Sequence, residues 1–545
     1  MGKFLRKGND GFRAVRNGEY VDKSRLIEIV NATLNTERQF TCVSRARRFG
    51  KSIGAKMLYS YYDLWCGDRE LFTDLKIYSS PSFAIHFQRY PVLYLDMTDF
   101  VTRYNSDTVV SHIQSDVITE LKEVFPEVPY RENSDLADVL YTIVSSQQHL
   151  EKFIMIIDEW DAILREYKDG GNVAEQYINL LRGLFKPTNA MSTFAGVYMT
   201  GILPIKKYDT QSALNNFHEY SVVQPGPMAD CFGFTSDEVL KLCVEHNMDY
   251  SHMAEWYDGY QIGANKEMFN PTSVMTALYN NYCDSYWANT GAYDTVATYI
   301  RMNFDGLRDD VVRLLAGESC SVDTASFQND LNVVRSKDDV LTSLIHLGYL
   351  SYDRDNRTCR IPNREVATEF KSAIVSESGW DVIANAIKQS ERLLNETLSE
   401  NESAVADALD KIHSDNTSVL RYNDENSLAC VLTIAYYTAR RYYLFIRELP
   451  SGKGFADIVL LPRTACKHPA VVLELKYNHS AETAITQIHN NNYGDALKDF
   501  VGEVVLVGIN YDKKTKLHDC KIERIKKNEV YLIYNNEKSN HIWCF

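Results

Sequence analysis

The sequence has no apolar run near the ~18 residues that a membrane-spanning helix needs, so no spanning helix is expected. Its start, MGKFLRKGND, carries charge but no apolar stretch, and no secretory leader is expected there. Position 6 is Arg6, where an N-myristoylation site wants Ser or Thr. Eleven cysteines are scattered singly with no C-x-x-C pair. That pattern argues against a disulfide framework and for small buried thiols in a reducing, cytoplasmic setting. There is no low-complexity tract and no internal repeat. Positive charge is also lacking: the formal net charge is −15, which does not suit a chain that coats nucleic acid non-specifically.

What is present fits an ordinary globular chain. Hydrophobic residues make up 45% and charged residues 24% of the sequence. A length of 545 residues allows about three or four domains. The charge is uneven: residues 421–545 hold 17 Lys/Arg against 14 Asp/Glu, about +3, while the rest carries the acidic excess. The tail is therefore the better candidate for nucleic-acid contact.

Residues 1–225 alternate short apolar runs (QFTCVS, YPVLYLDM, FIMIID, FAGVYMTGI) with helical stretches such as 51–63 and 107–124. Strands alternating with helices predict a mainly parallel sheet wrapped by helices. From 226 to 385 the strand signal fades, and stretches such as SDEVLKLCVEHN and DDVLTSLIHLGYL predict a mostly helical middle region. A helical, acidic linker over about 386–420 leads into a third pattern. There a helix over 427–438 precedes RYYLFIREL and GFADIVLLP, paired around a turn at 450–454. AVVLELKY, the helical AETAITQIHNNNYGDALK and the run EVVLVGINY follow, which predicts an α/β domain with a mixed sheet within 386–545.

Two groups of residues carry chemistry. In SRARRFGKSIGAKML, a β-like run gives way to a helix through Gly50, Lys51 and Ser52, the end of G-x-x-x-x-G-K-[ST]. Such a loop holds phosphates on backbone N–H groups and a helix N-terminus, with Lys on the β/γ oxygens and Ser on Mg²⁺. Arg45 stands where the first Gly would be; Arg48 joins the loop as a nucleotide contact. FIMIIDEWDAIL ends an apolar strand at Asp158 and Glu159. These suit a Mg²⁺ carboxylate and a group that orients the attacking water. Thr200, ending the strand VYMTGIL, is placed to sense a γ-phosphate or simply to cap the strand.

In the tail, Asp457 lies in the strand-like GFADIVLL, and Glu474 and Lys476 lie in VVLELKY. Residues i and i+2 of a strand share a face, so Glu474 and Lys476 can share one site, and a hairpin return brings Asp457 alongside. Converging carboxylates hold a divalent metal that activates water and neutralises a developing phosphorane, and a nearby Lys positions that water. Glu448 is a weaker candidate.

Taken in order, YVDKS (20–24), RARRFGKS (45–52), IIDEWD (156–161), TGILPIKKYDTQSALNNF (200–217), EWYDGYQIG (255–263), FNP (269–271), YWANTG (286–291), GYL (348–350) and PNREV (362–366) resemble the AAA-ATPase-like proteins with a C-terminal PD-(D/E)XK nuclease domain. The resemblance spans nearly the whole chain. It implies a P-loop ATPase of the STAND-like kind with a helical lid, then a restriction-endonuclease-like α/β domain. It makes Arg45 usual and Ala46 a departure, Pro being usual there. It adds Glu425 as an acidic metal ligand on the first helix of the nuclease fold, and Gln487 and Tyr493 as the family's Q-x-x-x-x-x-Y. Arg364 in PNREV is a candidate arginine finger, with a structural role as the alternative.

The resulting expectation is a cytoplasmic ATP-binding and ATP-hydrolysing chain. Its domains are a P-loop domain (1–225), a helical lid (226–385) and a Mg²⁺-dependent nuclease domain (386–545) that also accepts Mn²⁺ and acts on DNA or RNA. No membrane partner is expected; a homo-oligomer is allowed. The rival is an ATP-driven switch whose C-terminal domain binds nucleic acid or protein without cutting. A signalling NTPase with a degenerate ATP site is a third possibility.

Overall fold

The computed structural model describes residues 2–167, 172–205, 214–287, 292–302, 304–328, 334–377, 380–416, 425–451, 454–463, 466–490, 500 and 502–527. Two compact units result: Met1–Ala292 with Ser319–Glu369, and Tyr293–Glu318 with Phe370–Phe545. The stretch read as one middle region, 226–385, contributes to both.

The first unit is built on β1 (Phe40–Ser44), β2 (Val92–Asp96), β3 (Phe153–Asp158), β4 (Phe194–Gly201) and β5 (His218–Tyr220). They form a five-stranded sheet in the order β2-β3-β4-β1-β5, parallel throughout, as the strand–helix alternation predicts. The first four are apolar runs because helices bury both faces. Successive side chains feed different cores. Phe153, Met155 and Ile157 join Met199 and Leu93 under the helices Val109–Val124 and Leu136–Ser146. Ile154 and Ile156 join Tyr198 and Tyr94 under the helix Lys51–Tyr62. Because β4 is inserted between β1 and β3, its C-terminal end lies between the loop after β1 and the carboxylates after β3.

The remainder of this unit holds two small antiparallel sheets that the fading strand signal did not announce. One is β6 (Phe234–Thr235), β7 (Tyr260–Ile262) and β8 (Asn265–Phe269), in the order β6-β8-β7. The other is β9 (Cys320–Ser321), β10 (Ser351–Asp353) and β11 (Thr358–Arg360), in the order β10-β11-β9. Local signals set the helices between them. Thr235 and Glu238 form a capping box at Ser236–His246. Asn270 caps Pro271–Asn280, with Pro271 in the first turn, where its missing N–H costs nothing.

The second unit carries a mixed sheet of β12 (Tyr443–Ser451), β13 (Gly454–Pro462), β14 (Ala470–Tyr477), β15 (Gly502–Asp512) and β16 (Leu517–Lys527), in that order. Only β14 and β15 are parallel, joined through the helix Ala481–Asn490. Gly508 lets that helix down onto β15: a Cβ there would lie 2.4 Å from the Ala481 carbonyl oxygen. In the same unit Glu318 accepts hydrogen bonds from Arg447 on β12 and Cys430 on the helix Glu425–Ala435, both at 2.7 Å. No helix of the described residues is long and apolar enough to cross a membrane.

Candidate nucleotide and nuclease sites

β1 ends at Ser44, and the chain turns through 45–50 into the helix Lys51–Tyr62. Gly50 has φ +89, a left-handed conformation that suits glycine, and Arg48 shares that region with φ +69. The helix N-terminus behind them supplies unpaired N–H groups and a partial positive charge. Arg45 is taken up by backbone carbonyls. Its fully buried guanidinium donates to the carbonyls of Ser44 and Tyr220 (2.9 Å each) and Met228 (3.0 Å), pinning the loop's first residue to β5 and the chain beyond. Burial pushes its pKa down to about 10, so it stays charged at neutral pH.

Lys51 is buried, with Nζ 3.1 Å from the Ala46 carbonyl oxygen and 3.5 Å from Glu159 Oε1. The Asp158 carboxyl at the end of β3 is also buried. Burial pushes it up to about 6, against a hydrogen bond from Ser52. It accepts the Tyr94 hydroxyl and the Glu159 amide, each at 3.1 Å. The predicted Mg²⁺ pair, Ser52 and Asp158, is therefore brought together, with Lys51 and Glu159 beside it. Thr200 pairs with Val43 in register. It shares the parity of Tyr198, the sheet face covered by the helix Lys51–Tyr62. Its hydroxyl is fully buried and has no hydrogen-bond partner among the described residues.

A cavity of about 450 Å³ is lined by Arg48, Gly50, Lys51, Ser52 and Glu159 together with Tyr20, Val21, Met57, Phe232 and Phe234. The size and the mixture of charged and apolar lining residues suit a small charged ligand with an apolar part. A groove of about 440 Å³, lined by Asp107, Gln114 and Gln176, has no comparable grouping.

The aromatic motifs fasten the loop. Tyr260 donates to the Gly348 carbonyl at 2.9 Å and meets Phe49 edge-on at 5.1 Å. Thr272 donates to the Arg48 carbonyl at 3.2 Å, and Arg48 donates to the Tyr286 carbonyl at 2.8 Å. Sequence reasoning missed Glu365, which is fully buried. It accepts the amides of Tyr286 (2.8 Å) and Trp287 (3.0 Å) and the Ser273 hydroxyl (2.8 Å). Arg364 lies instead against Glu255 (3.2 Å) and over the Trp256 ring (4.3 Å).

Burial raises the Glu365 carboxyl from 4.5 to about 7, against the pull of its hydrogen bonds. A carboxyl with a raised folded pKa holds its proton more tightly when folded. Its stabilising contribution is therefore full below about 4.5 and lost as pH rises to about 7. The span corresponds to ~3 kcal/mol at most. Glu365→Gln is expected to flatten the dependence of the melting temperature on pH between 5 and 8; a slope equal to that of wild type would show that this carboxyl titrates normally.

In the second unit, Ile458 pairs with Leu473, so Asp457 and Glu474 fall opposite each other one step further along β13 and β14. Asp457 accepts the Leu475 amide at 2.7 Å. Glu474 is buried, with Lys476 Nζ 3.2 Å from its Oε1 and 2.7 Å from the Leu475 carbonyl oxygen. These three predicted residues come together. Gln487 sits half-buried on the helix Ala481–Asn490. Glu425 begins the helix Glu425–Ala435. The side chains of Glu425 and Glu448 and the whole of Tyr493 lie outside the described residues.

Sequence reasoning also missed Asn510. It donates to the His479 carbonyl (3.1 Å) and Asp519 (2.7 Å) and accepts the His479 amide (2.9 Å), while Asp519 accepts the Ala481 amide (2.7 Å). This lock sets the turn that follows Lys476. Of the basic cluster 513–527, Lys521 pairs with Glu402, and Arg524 with Glu400 and Glu503, while Lys513, Lys514 and Lys516 stand exposed on the β15–β16 turn. Among the described residues no group of three or more His, Cys, Asp or Glu could hold a metal ion. Two carboxylates on facing strands still suit Mg²⁺, a hard ion that is commonly held by one or two carboxylates and otherwise by water and phosphate oxygen.

Residues 7–211 match the family model described as predicted AAA-ATPase, and residues 423–520 match that of the PD-(D/E)XK nuclease superfamily. No curated protein matches the sequence significantly. Among solved structures, Cdc6p from Pyrobaculum aerophilum aligns with 68% of this chain and 98% of its own at 11% identity and a TM-score of 0.25. AMPPCP-bound DnaA from Aquifex aeolicus aligns with 61% of this chain and 80% of its own (9% identity, TM-score 0.23). The ORC2 protein from Aeropyrum pernix, in ADPNP and ADP complexes, aligns with 68% and 98% (12% identity, TM-score 0.30). At these TM-scores the likeness is loose. The two family matches lie in the expected order, a predicted AAA-ATPase region followed by a PD-(D/E)XK nuclease superfamily region.

Proposed function

We propose that the protein binds and hydrolyses ATP, and that its second unit is a Mg²⁺-dependent nuclease cutting DNA or RNA phosphodiesters. The observation that carries the first half is the grouping of Lys51, Ser52, Asp158 and Glu159 at one cavity. In this reading the phosphates lie on the amides after Gly50, beside Arg48 and Lys51. Ser52 and Asp158 hold Mg²⁺, Glu159 orients the attacking water, and Thr200 meets the γ-phosphate. The base lies between Tyr20 and Phe234.

The second half rests on Asp457 on β13 lying beside Glu474 and Lys476 on the neighbouring β14. A bound Mg²⁺ or Mn²⁺ lowers the pKa of water and neutralises phosphorane charge. Asp457 and Glu474, with Glu425, hold the ion, and Lys476 positions the water. Gln487 and Tyr493 contact the substrate, and Lys513, Lys514 and Lys516 meet its backbone. The binding-only rival draws on the two described carboxylates where many such sites gather three.

The test is purified protein with single-stranded DNA, double-stranded DNA and RNA, with and without Mg²⁺ and ATP. Mg²⁺-dependent cutting that changes with ATP is expected. Protein that binds Mg²⁺ and nucleic acid but cuts nothing in any combination favours the switch.

A further inference from the structure

Glu159 leaves β3 with φ +49, a left-handed backbone that is unusual for a glutamate and costly to hold. Its carboxylate is stretched between two cations. Oε1 lies 3.5 Å from Lys51 Nζ, and Oε2 lies 2.8 Å from Arg165 Nη2. Arg165 sits on the helix Ala162–Glu166, and its side chain is only 9% exposed. Its Nε is 3.0 Å from Asp161 Oδ2, and its Nη1 reaches Glu166 at 3.5 Å. Asp161 is fully buried and accepts the amides of Ile202 (3.2 Å) and Leu203 (2.9 Å), the residues that follow β4. One planar fork thus ties Glu159, through Asp161, to the chain leaving β4.

We infer that Arg165 is the positioning residue for Glu159, holding its carboxylate in place when ATP phosphates draw Lys51 away. This rests on the reading of Glu159 as the group that orients water. Lys51 cannot serve both partners fully: phosphate oxygens at the loop compete with Oε1 for its ammonium. Arg165 does not line the cavity at that loop, its Nε arm is anchored to Asp161, and Asp161 is anchored to two backbone amides. Release by Lys51 frees Oε1 toward the phosphates, while Oε2 stays fixed. A guanidinium can hold two carboxylates in one plane, and an ammonium cannot. The same bonds remove Asp161 as an alternative water-orienting group, since its oxygens face backbone amides and Arg165.

The experiment measures steady-state ATP hydrolysis, binding of a fluorescent ATP analogue and thermal melting for wild type, Arg165→Ala, Arg165→Lys and Glu159→Gln. Arg165→Ala is expected to lower kcat roughly ten-fold or more while KM and Kd stay within about two-fold, the pattern of a contact needed in the transition state rather than for binding. Arg165→Lys should fall between it and wild type, and Glu159→Gln should be slower still. Wild-type kcat in Arg165→Ala with a slow Glu159→Gln overturns the inference alone. So does a KM that rises as much as kcat falls, which marks a generally loosened site. Wild-type turnover by Glu159→Gln, or a wild-type protein that binds ATP without hydrolysing it, overturns both this inference and the reading beneath it. If Arg165→Ala does not fold, Arg165→Lys is read alone, and wild-type kcat there overturns the inference.

Discussion

Asp457→Ala is expected to lower nucleic-acid cleavage roughly 10²-fold or more, by analogy with removing one electrostatic stabiliser of a transition state. In the proposed site the carboxylate supplies charge to the metal, and in the structure it accepts the Leu475 amide at 2.7 Å. Alanine therefore removes two things at once. Asp457→Asn separates them, because its carbonyl oxygen can still accept that amide while ligating a cation poorly. Both variants should lose metal binding and cleavage, and only Asp457→Ala should lose stability as well. Lys476→Ala should lose cleavage but keep most metal binding, since a cation does not ligate a cation. Substrate binding should survive all three changes, because in the proposed reading phosphate contacts come from other basic groups such as Lys513 and Lys514. Calorimetric Mg²⁺ titration, electrophoretic mobility and cleavage assays read the three quantities. Full cleavage by Asp457→Asn would place the site elsewhere.

Lys51→Ala is expected to weaken ATP binding roughly ten- to hundred-fold, the worth of a charge-assisted hydrogen bond to phosphate at a buried site. The fold should hold, since Glu159 keeps Arg165 as its second cation. Ser52→Ala should lower affinity for Mg²⁺-ATP and leave Mg²⁺-free ATP nearly unchanged. Fluorescent-nucleotide titration with and without Mg²⁺ checks both. Unchanged binding by Lys51→Ala would sink the phosphate-loop assignment.

Parts of this arrangement lay open in the sequence for plain physical reasons. β1 to β4 are apolar runs because both faces are buried, and such runs stand out. GKS kept its meaning without the first glycine because the left-handed turn falls at Gly50, where the glycine remains. Period two put Glu474 and Lys476 on one face, and Asp457 was placed only by assuming the antiparallel return that the β13–β14 register provides. What stayed hidden is equally explicable. β5 is three mixed residues at the sheet edge, and β16 is an edge strand full of Lys, Arg and Glu, so neither carries an apolar pattern. Arg45 and Glu365 draw their roles from partners that no periodicity links to them. Arg45 reaches 183 positions to Met228, and Glu365 reaches 92 to Ser273.

The second unit is discontinuous, and that has a bearing on the order in which the chain is made. Residues 293–318 leave the ribosome before the whole of 319–369, which belongs to the other unit. They must wait for Cys430 and Arg447 before Glu318 meets its partners. An excised nuclease region starting near 386, where the sequence alone suggests a cut, would leave Arg447 without the carboxylate that faces its guanidinium. The nascent polypeptide thus carries one piece of its last-formed sheet domain from midway through translation.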